Sequence, residues 1–222
     1  MPFLYHIVYH FARAASCLIR LWACWQIKGS ENVPRKGPVL VVANHMTLVD
    51  VPLLAMSLGR KATFMGKEEL FRTRLSAWLF FHALNTFPVY RNRADLTAIR
   101  RAKEVLARGR VLVMFPEGTR SRDSQLQPAL TGPVLLARRG SAPILPVGIS
   151  GTEKIKGFAS LLRRPRVTVN IGPPFYLPDD GGRLTKSKRA ELTGIIMGRI
   201  ADLLPPEYRG FYGKQNGNQE SQ

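Results

Sequence analysis

From Gly29 onward the chain alternates short apolar runs with stretches of helical spacing. PVLVVA (38–43), ATFMG (62–66), NTFPV (85–89), RVLVMF (110–115), PILPVGI (143–149) and RVTVNI (166–171) are β-rich. Residues 51–58, 67–82, 94–108 and 133–139 read as helices between them, and 185–204 as a closing helix stopped by Pro205-Pro206. Such alternation predicts an α/β fold, a single domain over 29–206 whose central, mostly parallel or mixed sheet is covered by helices.

The segment before it follows a different rule. MPFLYHIVYHFARAASCLIRLWACWQ is mostly apolar, yet Arg13 and Arg20 interrupt it, so no charge-free run approaches the roughly 20 residues that a plain spanning helix needs. His6, Arg13 and Arg20 recur every seven residues, which sets them near one stripe of a helix whose remaining surface is apolar. Residues 1–28 therefore read as a helical segment able to lie in a membrane interface; a buried docking helix is the alternative. Its positive charge sits mid-segment rather than ahead of the apolar run, which fits a secretory signal poorly. At the other end, residues 207–222 are polar towards the terminus and read as a disordered tail.

Charge narrows the partners. Thirty-three Lys and Arg against fifteen Asp and Glu give a net charge of +18, a surplus suited to nucleic acid or to an anionic membrane surface. Nucleic acid is disfavoured, because the polar loops do not interleave stacking aromatics with basic residues and no zinc or helix-turn-helix pattern stands out. Cys17 and Cys24, the two cysteines, lie seven apart in the apolar segment. They read as packing or lipid-facing residues sharing a helix face.

Ligands of open α/β sheets bind beyond the carboxyl ends of the strands, and three such loops are heavily polar. PVLVVA runs into Asn44-His45 with Asp50 five residues after the His; NTFPV into Tyr90-Arg91; RVLVMF into Pro116-Glu117-Gly118-Thr119-Arg120-Ser121. His45 opens a polar loop, and a carboxylate at Asp50 can hold one imidazole nitrogen so that the other takes a proton. Taken alone, that spacing more often describes a capping Asp beside a structural His. A metal site is disfavoured, since no second His or Cys pattern accompanies it. Gly148-Ile149-Ser150-Gly151 has the wrong spacing for a nucleophile elbow, and neither a P-loop nor a dinucleotide fingerprint occurs. The base would then act on a hydroxyl of the substrate itself. In the third loop, the Arg120 guanidinium suits phosphate and Gly118 lets backbone amides approach an anion, although an ordinary solvated turn has the same composition.

Asn44-His45-x4-Asp50, Phe87-Pro88-Val89-x-Arg91, Phe115-Pro116-Glu117-Gly118-Thr119-Arg120-Ser121 and Ile144-Leu145-Pro146-Val147-Gly148-Ile149 resemble, in order and spacing, the four blocks of the glycerolipid acyltransferases, in particular the 1-acyl-sn-glycerol-3-phosphate acyltransferases. The resemblance spans about residues 30–175. It implies that 29–206 is an acyltransferase catalytic domain with His45 as base and Asp50 as its orienting partner. Arg91, Glu117, Gly118, Thr119 and Arg120 would contact the acceptor's phosphate and glycerol, and Pro146 would belong to the acyl-donor region. Two positions depart from the pattern: Asn85 stands where Gly is usual, and Thr47 where Ser is frequent. Asn tolerates left-handed backbone angles, and Thr keeps a hydroxyl.

The implied reaction moves an acyl group from acyl-CoA or acyl-carrier protein to the sn-2 hydroxyl of lysophosphatidate, with no metal and no cofactor beyond that co-substrate. Another lyso-lipid, such as a lyso-ornithine lipid, or glycerol-3-phosphate would suit the same base, and a membrane-surface scaffold with a dead site is disfavoured because each block carries its reactive residue. The expected place of work is the cytoplasmic face of the cell membrane, as a peripheral or monotopic protein.

Overall fold

The computed structural model describes residues 24–78, 81, 84–90, 95–140, 142–155, 164–178 and 181–213. Among them are seven strands, β1 (Cys24–Lys28), β2 (Val39–Ala43), β3 (Ala62–Lys67), β4 (Thr86–Val89), β5 (Val111–Met114), β6 (Ile144–Ser150) and β7 (Arg166–Ile171). Five α-helices accompany them, α1 (Asp50–Ser57), α2 (Arg74–Trp78), α3 (Leu96–Ala107), α4 (Gly132–Gly140) and α5 (Lys186–Asp202).

β2 lies mid-sheet because VLVVA offers water nothing: all five residues have no exposed surface. The strand order is β1-β7-β6-β2-β5-β3-β4, with every pairing parallel except β6 to β7. The expected mixed α/β sheet is therefore present. From β2 the chain moves one way along the sheet to β3 and β4, then returns to β5 and crosses to β6. Right-handed crossovers in opposite directions place the intervening helices on opposite faces. Accordingly α3, α4 and α5 pack side by side on one face, whereas α1 contacts β7.

The helices end where local chemistry ends them. Asp95 caps α3 by accepting from Ala98 N at 2.9 Å, and Thr185 caps α5 by accepting from Lys188 N at 3.1 Å. α3 buries Ala98, Ala102 and Leu106, one side chain per turn. The expected continuous helix over 67–82 is instead a 3-10 turn, Glu68–Phe71, followed by the short α2.

Two terminal boundaries are corrected. Cys24–Lys28 is an edge strand, not the end of a helical segment: Trp25 is buried and Ile27 half-buried, whereas Cys24 and Gln26 are exposed, a period of two. Trp25 belongs to the core, and Cys24 is not on a helix face. The apolar run preceding the strand hides its alternation in the sequence. At the other end, residues 207–213 do not belong to a disordered tail. Pro206–Tyr208 and Gly210–Tyr212 form 3-10 turns whose Tyr208 and Tyr212 are buried. Residues 1–23 and 214–222, and with them Cys17 and the amphipathic stripe, lie outside the described residues. Among the described residues no helix is long and apolar enough to cross a membrane.

Candidate active site

Three adjacent strand ends, those of β6, β2 and β5, converge on one histidine. β2 stops at Ala43, and the Asn44 side chain then imitates a backbone: Oδ1 accepts from Ile149 N at 2.7 Å, while Nδ2 donates to Ile149 O at 2.8 Å. This amide bridge extends the β2–β6 pairing one residue beyond the strand and turns the chain sharply at His45. Asn44 is buried, so both bonds form away from water.

The loop then folds back on Asp50, the first residue of α1. Asp50 Oδ2 lies 2.9 Å from His45 Nδ1 and accepts from Met46 N at 2.6 Å and Thr47 N at 2.7 Å. Oδ1 accepts from Thr47 Oγ1 at 3.2 Å and from Thr152 Oγ1 at 2.6 Å. A carboxylate with no exposed surface thus has its charge met by hydrogen bonds. A carboxylate that accepts from Nδ1 selects the imidazole tautomer with the proton on Nδ1, which leaves the lone pair on Nε2. The ring lies flat against Phe115, with centroids 4.0 Å apart and planes 16° apart, and its side chain is 13% exposed. The imidazole is thus held on one edge by Asp50 and on one face by Phe115 while part of its surface stays open.

The loop after β5 grips the same residue by its backbone. His45 N donates to Glu117 Oε1 at 2.9 Å, Gln127 N donates to Glu117 Oε2 at 2.9 Å, and Ser121 N donates to His45 O at 2.8 Å. Glu117 is 6% exposed. Burial pushes its carboxyl up to about 7, helped by the Asp50 and Asp123 charges and opposed by the two N–H donors. The carboxylate expected to meet acceptor is therefore occupied with two peptide groups. Gly118 adopts φ +69, and a Cβ there would come within 2.8 Å of Leu130 Cδ1, so the turn requires glycine. Thr119 and Arg120, next in the loop, are exposed at its tip.

The remaining expected residues divide. Pro146 is buried within β6, opposite Val42. Arg91 lies outside the described residues. Before it, Tyr90 N donates to Asp95 Oδ2 at 2.9 Å, and Asn85 holds φ 47 while its amide donates to Ala62 O and Thr63 Oγ1, both at 2.8 Å. The left-handed angle read from the Asn-for-Gly departure is thus present. Thr152 and Phe115 went without a role in the sequence reading, and Asn44 was read with His45 as the pair that ends the β2 run. Only Asn44, next to the His, carried a local signal; the other two meet the dyad through tertiary contacts. A groove of about 710 Å³ between α5 and residues 128–131, lined by Ala190, Gly194, Gly198 and Tyr212 among others, holds none of the groups that meet Asp50.

A buried carboxylate meets a partly exposed imidazole at the carboxyl edge of an α/β sheet, the kind of pairing that general-base enzymes use. The match of residues 24–150 to the acyltransferase family covers more than half of the chain, which belongs to that family. The resemblance to 1-acyl-sn-glycerol-3-phosphate acyltransferases is borne out by relatives. An enzyme of that name from Bacillus subtilis is 28% identical over 195 residues, covering 86% of this chain and 94% of its own. A chloroplastic one from Brassica napus is 32% identical over 155 residues, 68% of this chain but 44% of its own. A lyso-ornithine lipid O-acyltransferase from Pseudomonas aeruginosa is 35% identical over 136 residues, 60% of this chain and 51% of its own. The chain thus spans about half the length of the last two. The crystal structure of a 1-acyl-sn-glycerophosphate acyltransferase from Thermotoga maritima superposes with a TM-score of 0.63 at 25% identity, covering 91% of this chain and 81% of that one.

Proposed function

We propose that this protein transfers an acyl group from an acyl thioester, on CoA or on a carrier protein, to the sn-2 hydroxyl of 1-acyl-glycerol-3-phosphate, forming phosphatidate. The observation that carries the reading is the 2.9 Å contact between His45 Nδ1 and the buried Asp50 carboxylate. His45 Nε2 takes the proton of the acceptor hydroxyl as its oxygen attacks the thioester carbonyl. The tetrahedral intermediate collapses with cleavage of the C–S bond, and the imidazolium returns the proton to the departing thiolate. Nothing is consumed but acceptor and thioester, and nothing is released but ester and thiol. Juxtaposing two bound substrates stands in for an enzyme nucleophile.

Arg91, Thr119 and Arg120 would receive the acceptor phosphate, with Gly118 shaping the turn beneath it. Work at an anionic membrane surface, through residues 1–23 and the basic surplus, completes the reading. β1 and β7 run opposite to β2, so Cys24 lies at the carboxyl end of β6, on the rim that carries His45. Residues 1–23 therefore join the domain on its catalytic side.

A second reading, acylation of a lyso-ornithine lipid, is favoured by the Pseudomonas aeruginosa relative. The test for both is thiol release and lipid product with acyl-CoA or acyl-carrier protein against lysophosphatidate and lyso-ornithine lipid. Turnover of lysophosphatidate in preference supports the first reading. Preference for the lyso-ornithine lipid replaces it.

A further inference from the structure

β6 ends at Ser150, two residues short of a side chain that reaches Asp50 from 102 positions away. Gly151 makes the approach possible: its φ is +89, and a Cβ there would stand 2.0 Å from Arg166 O, so the chain rolls over β7 without one. The 3-10 turn Thr152–Lys154 follows, with Ile155 N donating to Thr152 O at 3.1 Å. The turn is braced from the end of the fold, where Tyr208 Oη donates to Glu153 Oε1 at 2.7 Å. Thr152 has no exposed surface, and its hydroxyl donates to Asp50 Oδ1 at 2.6 Å.

We propose that Thr152 is a positioning residue for acyl transfer, anchoring Asp50 Oδ1 so that Oδ2 stays aimed at the His45 imidazole. The inference rests on His45 being the base, as argued above. Oδ2 is shared by one imidazole and two peptide N–H groups, all from residues 45–47, so the loop's short contacts fall on one oxygen. Among the described residues, the other oxygen has Thr47 Oγ1 at 3.2 Å and Thr152 Oγ1 at 2.6 Å. The shorter bond comes from a different strand end. Fixing both oxygens from separate elements fixes the carboxylate plane, and with it the direction of the Nδ1 contact. Valine matches the shape of threonine but donates nothing, so Thr152→Val removes this bond and leaves Asp50 Oδ1 facing a methyl group.

The test compares thiol release from acyl-CoA with lysophosphatidate in the native full chain, Thr152→Val, Thr152→Ser and His45→Ala, together with the melting temperature of each. Thr152→Val should lower kcat by about tenfold with KM for both substrates within about twofold, and Thr152→Ser should recover most of the loss. The rate loss should persist at temperatures where the variant is fully folded. If Thr152→Val does not fold, Thr152→Ala against Thr152→Ser carries the same comparison. A Thr152→Val enzyme with native kcat overturns the proposal, as does a serine variant no better than valine, which would make packing rather than the hydroxyl responsible. Should His45→Ala be inactive while Thr152→Val is undisturbed, only the role of Thr152 falls. Native turnover in His45→Ala overturns the base assignment and this proposal together.

Discussion

Glu117 holds His45 by its backbone, accepting the His45 peptide N–H at 2.9 Å from within a site where the carboxylate is almost wholly buried. With Ser121 N on the His45 carbonyl, both polar atoms of that peptide residue are bound by the loop after β5. The third motif thus contributes placement of His45, from a different strand, in addition to whatever its tip binds.

That arrangement carries a pH dependence of stability. The Glu117 carboxyl is raised by burial from 4.5 to about 7. Unfolded chains release this proton above about 4.5 while the folded protein keeps it until about 7. The contribution is therefore complete below 4.5 and lost as pH rises through 7, an effect of about 3 kcal/mol. Replacing Glu117 with Gln removes the titration. Denaturant unfolding at pH 4.5 and pH 8 should show a smaller change between the two in Glu117→Gln than in the native protein, and equal changes would refute the assignment.

Removing the base or its partner should affect turnover far more than binding. His45→Ala should lower kcat by roughly a hundredfold or more, and Asp50→Asn by a similar order, because the pair acts as a unit. Acyl donor should still bind, since neither side chain is assigned to it. Thiol release in the presence of acceptor, measured beside donor binding, decides the matter.

Asn44→Ala should cost stability rather than chemistry alone. It leaves Ile149 N and O without their bonds at 2.7 and 2.8 Å, in a buried position. Each orphaned group costs about 1–3 kcal/mol, so unfolding free energy should fall by about 2 kcal/mol or more. A variant as stable as the native protein would mean that water replaces the bridge.

For the membrane reading, the informative truncation removes residues 1–23 and leaves β1 intact, because Trp25 is part of the core. Buried apolar area and attraction to anionic lipid should add, so the full chain should sediment with acidic vesicles and be only partly released by high salt. The truncated protein should bind them weakly. Equal binding would move the anchor into residues 24–222.

The strands β2 to β7 were legible in sequence because each is a β-rich run closed by polar residues, whereas the spacing of His45 and Asp50 only allowed their contact and the resemblance of the blocks singled the pair out. β1 was not, because its alternation over Cys24–Lys28 continues an apolar segment without a break. Tyr208 and Tyr212 were missed for the opposite reason, lying beyond Pro205-Pro206 among polar neighbours while their rings reach the core. Glu117 was read as a contact of the acceptor, and the fold adds that it accepts from two peptide groups. Those peptide partners, His45 and Gln127, are 72 and 10 residues away, and a motif records that a carboxylate is needed without recording which way it points. The same holds for Thr152, whose partner is set by the register of β6 against β2.

Acceptor choice should reside at the loop tip. Arg120 is exposed two residues beyond Gly118, beside a peptide that touches His45, so a phosphate gripped there would lie close to the hydroxyl to be acylated. A charge-assisted pair with phosphate is worth about 1.5–3 kcal/mol. Arg120→Ala should therefore raise KM for lysophosphatidate by about tenfold or more while leaving that for the acyl donor largely unchanged. Arg120→Lys should recover part of the loss, since it keeps the charge without the planar fork. Arg91→Ala should behave in the same way if its guanidinium meets the same phosphate. A zwitterionic lyso-lipid without a phosphate monoester should be a poor acceptor for the native enzyme and nearly indifferent to either change. The decisive measurement is KM for both acceptors in the native protein and the two alanine variants. Loss of donor rather than acceptor affinity would remove the phosphate from this loop, and a native preference for the zwitterionic lipid would remove lysophosphatidate from the reaction.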